Sequence, residues 1–272
     1  MRKDKQDMKV GIAVLGTVGK TVAKALDAGI PGLKLAAVAA RNHATASDWL
    51  GQLREAPVIA TFDEMAETCD IVVECAPAAL LGDIAAPVLG AGKKLVVLSC
   101  GGLLNRPDLI DLARSTGGSI HVPTGALLGL DAVNAAAEAE IYSVRMITRK
   151  PVKGLVGAPF LEEKKIDILG IQEPKQIFSG TAREAAVGFP ANLNVAVALS
   201  LAGNGPDNTQ LEIWADPSLT RNTHTIVVES DSARLQMTIE NIPTDNPKTG
   251  RITAQSVLAL LRKMNAPLRV GT

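Results

Sequence analysis

Aromatic side chains are nearly absent from this chain: two Trp, one Tyr and four Phe make up 3% of its 272 residues. Its 28 Lys and Arg are matched by 28 Asp and Glu, so there is no net charge either. A nucleic-acid binder needs a basic surface and stacking aromatics, and both are missing. Cysteine is scarce, with Cys69, Cys75 and Cys100 in no metal-binding spacing and odd in number. That excludes a disulfide framework and reads as reduced thiols of a cytoplasmic protein, two of them buried beside strands. No apolar run approaches the roughly 18 residues of a membrane span. The opening MRKDKQDMKV is charged and lacks the apolar centre of a secretory signal. No internal repeat or low-complexity linker interrupts the chain.

What is present is a grammar that changes near Pro123. Before it, nearly continuous apolar runs alternate with helical patterns, the signature of βα units building a doubly wound parallel sheet. The strand candidates are 10–15, 33–39, 58–60, 71–75, 94–98 and 119–122, with helices near 19–28, 44–53, 62–68, 78–89 and 107–115. After Pro123 a helix at 130–139 leads to a strand at 141–148 and a long irregular passage to Gly180. Thr181-Ala182-Arg183-Glu184 is a capping-box pattern, and 191–201 reads as an apolar helix. Strands at 210–215, 223–229 and 234–240, joined by short turns, predict a mainly antiparallel sheet with helices on one face. The last helix, 253–264, carries Val257, Leu260, Leu261 and Met264 on one side and is expected to pack back on the first domain. The predicted fold is α/β: a Rossmann-type domain over 1–123 and 251–272, and an α+β substrate and dimerisation domain over 124–250.

In a doubly wound sheet ligands lie beyond the C-terminal strand ends. After the first strand, Val14-Leu15-Gly16-Thr17-Val18-Gly19 matches the second and third glycines of G-x-G-x-x-G and has valine in place of the first. Gly16, Thr17 and Val18 are therefore candidate phosphate contacts in an altered, shifted turn, although strand–glycine–helix turns also occur in purely structural βα units. After the second strand, where an acid usually holds the ribose 2′-hydroxyl, stand Ala40, Arg41 and Asn42. The missing carboxylate and adjacent Arg41 favour NADP, or tolerance of NAD and NADP alike; Arg41 reads equally as a solvated loop residue. Ala76 and Pro77 after the fourth strand, and Cys100 and Gly101 after the fifth, would let a nicotinamide ribose approach the backbone. Three histidines are available for proton transfer: His43 in a loop, His121 inside an apolar strand, and His224 at a strand start among polar neighbours.

The run from Ile120-His121-Val122-Pro123-Thr124-Gly125-Ala126 to Gly129-Leu130-Asp131-Ala132 resembles the segment joining the two domains of the L-aspartate dehydrogenase family. Thr148-Arg149-Lys150-Pro151, Phe189-Pro190-Ala191-Asn192-Leu193-Asn194, Asp216-Pro217 with Arg221-Asn222-Thr223-His224, and Asn246-Pro247-Lys248-Thr249-Gly250 follow in family order. The resemblance implies an NAD(P)-dependent enzyme that oxidises L-aspartate to iminosuccinate, hydrolysed to oxaloacetate and ammonia, or runs in reverse, in one setting supplying NAD biosynthesis. It carries the catalytic role onto His224 and cofactor contacts onto Ala126 and Asn194, and it implies a homodimer. Two substrate carboxylates need donors, for which Lys150, Lys248, Thr249, Asn222 and Arg221 are candidates. Alternatives on the same plan are a homoserine, dihydrodipicolinate or sugar dehydrogenase, or a non-catalytic NADP sensor.

Overall fold

The computed structural model describes residues 7–189, 193–244 and 250–271. It divides into two compact units, Met1–Pro123 with Ala254–Arg269, and Thr124–Thr253 with Val270–Thr272.

The first unit is a parallel sheet of β1 (Met8–Ala13), β2 (Leu33–Ala39), β3 (Val58–Ile59), β4 (Ile71–Glu74), β5 (Lys94–Val97) and β6 (Ser119–His121), in the order β3-β2-β1-β4-β5-β6. Helices α1 (Thr17–Gly29), α2 (His43–Leu50), α3 (Phe62–Thr68), α4 (Leu81–Gly90) and α5 (Pro107–Thr116) connect the strands. The chain winds outward from β1 in both directions, so β1 and β4 flank the point where strand order reverses. Their carboxyl ends form the crevice that this topology offers to ligands. Val10, Ile12, Val38 and Val73 of the strands are fully buried, and helix α10 (Ile252–Asn265) adds Ala254, Val257 and Leu261 to the same cluster. Asn265 Nδ2 donates to the Pro31 carbonyl at 2.9 Å. The C-terminal helix thus completes the first core, as its apolar face predicts.

The turn after β1 differs from its expectation in an informative way. Val14 has φ of 75°, the left-handed conformation that the fingerprint's first glycine would take. The position thus takes a conformation that glycine adopts freely although its residue is valine. A β-branched residue there is strained, and two ladder-like bonds hold the segment: Val14 N–H to the Ala39 carbonyl and Cys75 N–H to the Ala13 carbonyl, each 3.0 Å. Gly19 is required by packing, because a Cβ would collide with the Val14 carbonyl oxygen and lie 3.2 Å from Ile12 Cγ2. Gly16 has φ of −78°, and a Cβ there would meet nothing within 4 Å.

The second unit holds α6 (Leu130–Ala136), β7 (Ile141–Lys150), α7 (Pro159–Glu163), β8 (Lys175–Thr181), α8 (Ala182–Gly188), α9 (Asn194–Ala202), β9 (Thr209–Ala215), β10 (Asn222–Ser230) and β11 (Arg234–Asn241). Strand order is β11-β10-β7-β9-β8, antiparallel except for the parallel β7–β9 pair. Two expectations fail here. The irregular passage contains α7 and β8; in β8 only Ile177 is buried, so the strand has no alternation to reveal it. It is anchored instead by a cluster of Phe160, Phe178 and Phe189 with ring centroids 5.2–5.7 Å apart. Strands β9 and β10, read as consecutive strands of an antiparallel sheet, are not neighbours, since β7 lies between them. The capping box at Thr181 and Glu184 forms as read.

Substitutions in the first turn should separate these roles in urea denaturation. Val14→Gly is expected to stabilise the protein by about 1 kcal/mol, the left-handed penalty of about 1–2 kcal/mol less glycine's entropy of about 0.5–1. Gly19→Ala should cost about 1–3 kcal/mol by overpacking, and Gly16→Ala should stay within about 0.5 kcal/mol of wild type. A destabilised Val14→Gly would show that the valine side chain, not the backbone path, holds the turn.

Candidate functional site

The candidate cofactor residues lie at the carboxyl ends of β1, β2, β4 and β5. Thr17 opens α1, whose amino terminus has no side-chain cap and no acidic residue in its first turn. Together with the open space beside Gly16, this leaves backbone N–H groups and the helix dipole directed at whatever occupies the turn. The residues present therefore fit a dinucleotide pyrophosphate. Arg41 is exposed beyond β2 and makes no ion pair or hydrogen bond among the described residues. Asn42, expected to touch the cofactor, uses its Oδ1 to accept from Thr45 N–H as the N-cap of α2.

Ala76, Pro77, Cys100 and Gly101 sit on two loops joined by a residue that sequence reading passed over. Glu74, the last residue of β4, is completely buried. Its Oε1 accepts from Ala76 N–H at 2.6 Å. Its Oε2 accepts from Leu98 N–H at 3.1 Å, Ser99 N–H at 2.9 Å and the Ser99 hydroxyl at 2.8 Å. Burial pushes the Glu74 carboxyl above its ordinary value, and these four donors pull it back. One carboxylate thus fixes the loop after β4 to the loop after β5. A lone acid ending the apolar run Ile71–Glu74 was the available signal. Burial also raises the neighbouring Cys75 thiol, which stays protonated and unreactive.

In the second unit, strand register gathers several candidates at one end of the sheet. His224 on β10 faces Thr148 on β7, and Thr148 Oγ1 lies 3.2 Å from His224 Nδ1. Lys150 is two residues beyond Thr148, hence on the same face, and Asn222 is two residues before His224. Thr148, Lys150 and His224 are 2%, 4% and 3% exposed. Burial, with the Lys150 charge as a second cause, pushes the His224 pKa down to about 3. The imidazole is consequently neutral at every ordinary pH.

One row further along, Asn222 pairs with Asn241 of β11, whose Nδ2 donates to the Ala126 carbonyl at 2.9 Å. Ala126 is thereby tied to the same sheet end as His224. Asn194 is the first residue of α9, which packs on β9 and α6. A pocket of about 290 Å³ opens at this end, lined by Pro151, Lys153, Gly154, Thr220, Asn222, Pro243 and Thr244. Lys153 was not foreseen, because it stands in the turn after β7 rather than in a motif.

The remaining candidates lie elsewhere. Arg221 is exposed and reaches Glu240 at 3.5 Å. His43 is exposed at the start of α2, and His121 is half-buried with its Nε2 2.9 Å from the Ser119 hydroxyl. Lys248 and Thr249 fall outside the described residues.

The depressed His224 pKa has a consequence for stability. Unfolded, this histidine binds a proton below its ordinary value of 6.5; folded, it does not until about 3. Its contribution is therefore complete above 6.5 and declines as pH falls from there toward 3, by up to about 1.4 kcal/mol per pH unit. In urea titrations from pH 7 to 5, His224→Asn should flatten this dependence; an unchanged slope would show that His224 is not the proton-linked group.

Comparison with known proteins agrees with the two-part architecture. Residues 15–123 match the model of the homoserine dehydrogenase NAD-binding domain, and 131–264 that of the aspartate dehydrogenase C-terminal domain. An L-aspartate dehydrogenase of Bradyrhizobium diazoefficiens is 59% identical over 98% of this chain and 95% of its own length. L-aspartate dehydrogenase 3 of Bordetella bronchiseptica is 58% identical over 98% and 99%. The crystal structure of aspartate dehydrogenase from Thermotoga maritima superposes with a TM-score of 0.74 at 21% identity, covering 98% of this chain and 100% of that one. A parallel Rossmann-like sheet followed by a second, mixed sheet, with sequence identity running through both, makes this chain a member of the L-aspartate dehydrogenase family.

Proposed function

We propose that this protein is an NAD(P)-dependent L-aspartate dehydrogenase, converting L-aspartate to iminosuccinate and, after hydration, to oxaloacetate and ammonia, with the reverse amination also open to it. The observation that carries the reading is the buried, neutral His224 held by Thr148 in the same sheet row region as Lys150. The homoserine dehydrogenase match is confined to the cofactor half, so it does not bear on substrate.

A bound nicotinamide supplies the acceptor for the hydride leaving the substrate Cα. The protein's own work is proton transfer and charge placement. As a base, His224 needs a free lone pair on Nε2, which requires the tautomer whose Nδ1–H donates to Thr148 Oγ1. In that state Nε2 takes the proton lost from the substrate nitrogen; once that proton has passed to solvent, the neutral imidazole can take a proton from the water that attacks the imine carbon. Lys150 has a double role. Its charge discourages protonation of His224 in the free enzyme, and it attracts a substrate carboxylate. Once that carboxylate offsets the lysine charge, the imidazole becomes a stronger base where it is needed.

The reading extends to the other partners. Gly16, Thr17 and Val18 would hold the pyrophosphate, with Ala76, Pro77, Cys100 and Gly101 toward the nicotinamide ribose; Ala126 and Asn194 carry cofactor contacts by family resemblance. Arg41, which has no ion pair or hydrogen bond among the described residues, would take a 2′-phosphate, which would let NADP bind. The sheet face opposite His224 leaves Trp214 half-buried beside the Arg145–Glu212 pair. That surface suits a homodimer. A cytoplasmic setting, and supply of iminosuccinate to NAD biosynthesis in one direction of use, complete the proposal.

Spectrophotometric assay should detect NAD(P)H formation on adding L-aspartate, and its oxidation with oxaloacetate plus ammonia. His224→Ala should lower kcat by about 10²–10⁴-fold while cofactor binding persists; full activity in that variant would remove His224 from the chemistry. For cofactor choice, Arg41→Ala should reduce the ratio of kcat/KM for NADP over NAD by about tenfold or more, the worth of a charge-assisted bond. An unchanged ratio would mean that another group meets the phosphate.

A further inference from the structure

We infer that the pocket at the β7–β10–β11 end of the second sheet receives the side-chain carboxylate of a dicarboxylic amino acid, and that Lys153 is the residue that recognises it. This deepens the proposed dehydrogenase reading and rests on it for the orientation of the substrate.

The pocket's lining is chemically one-sided. Among its described residues Lys153 carries the single formal charge, and Thr220, Asn222 and Thr244 bring hydroxyl and amide groups; no carboxylate is present. Lys153 enters no ion pair or hydrogen bond among the described residues, unlike Arg145, Arg149 and Arg221, which lie on or beside the same sheet and each pair with an acid. An exposed ammonium without an ion-pair partner among the described residues, at the rim of a pocket that also carries two hydroxyls and an amide, is arranged for an anion that comes from outside.

The lysine's backbone is fixed at the rim. Residues Val152–Gly154 form a single 3₁₀ turn, with Gly154 N–H donating to the Pro151 carbonyl at 2.9 Å and Leu155 N–H to Val152 at 3.0 Å. Leu155, 1% exposed, anchors the turn from beneath. Pro151 and Pro243 stiffen two walls.

Position completes the argument. Asn222 lines the pocket and stands two residues before His224 on one face of β10, so the cavity begins one side-chain row, about 7 Å along the strand, from His224. A substrate whose nitrogen is at His224 and whose first carboxylate is near Lys150 has only a short side chain with which to reach the next row. A carboxylate one methylene beyond Cα is such a side chain, and Lys153 would be what separates aspartate from neutral amino acids of similar size.

The test uses the full chain with saturating NADP and two ligands that need no turnover: succinate, with two carboxylates and no amine, and butyrate, with one. By calorimetry, Lys153→Met should weaken succinate binding roughly 10- to 100-fold and change butyrate less than about threefold, and Lys153→Arg should restore most of the succinate affinity. In assays, Lys153→Met should raise KM for L-aspartate by a similar factor with kcat and cofactor KM little changed. Equal succinate affinity in wild type and Lys153→Met would overturn the proposal, as would equal loss of succinate and butyrate, which would assign the lysine to the carboxylate that both acids share. Wild type that binds succinate through Lys153 but oxidises no aspartate would overturn the dehydrogenase reading and leave the pocket as a dicarboxylate site.

Discussion

The pairing register of β7 and β10 is the constraint on which the second unit's chemistry depends. It sets Thr148 opposite His224 and brings Lys150 onto the same buried face. A one-residue slip of β10 would turn His224 outward and bring Thr223 inward, while Thr148 and Lys150 kept their face, so the three would no longer meet. The parallel β7–β9 pair and the insertion of β7 at the centre of the sheet protect that register from both sides. With the register held, an ammonium and an imidazole share a dry environment. The cheaper outcome there is one positive charge and one neutral base, not two cations.

The first unit solves the opposite problem with a buried acid. Glu74 stands where loops meant for an anionic ligand converge, and an unscreened carboxylate there would repel phosphate. Three backbone N–H groups and a hydroxyl enclose it, so its charge is met locally and serves to align two loops. The first unit thus places a buried acid, and the second a buried ammonium beside a neutral imidazole, at strand ends, each held by neighbours that the sheet fixes.

What could be read from the sequence follows from the range of the interactions involved. The parallel sheet, the glycine turn, the capping box at Thr181 and the apolar face of α10 are local patterns, and they appear in the fold within a residue or two of where they were read. Strand β8 escaped because a single buried residue gives no alternation, and its phenylalanine cluster joins positions 160, 178 and 189. The place of β7 between β9 and β10 is a matter of long-range pairing, which short turn signals do not reveal. Likewise His224 stood out by its neighbours and by family resemblance, while Thr148, 76 residues away, became its partner only through register. Lys153 and Glu74 carry no motif; their surroundings single them out.

Val14 shows how a fingerprint can lose its residue and keep its geometry. Glycine is usual at that position because it adopts positive φ without penalty. Here a valine is held at φ of 75° by bonds that stitch the ends of β1, β2 and β4 together, and the absence of a Cβ at Gly19 gives its carbonyl room. Strain of about 1–2 kcal/mol is small beside the packing of a fully buried central strand, so the sheet imposes the turn on the residue. A motif search that weighs residue identity penalises this site. A search that weighs conformation finds a glycine-type φ at Val14, with Gly16 offering an open backbone at the head of α1.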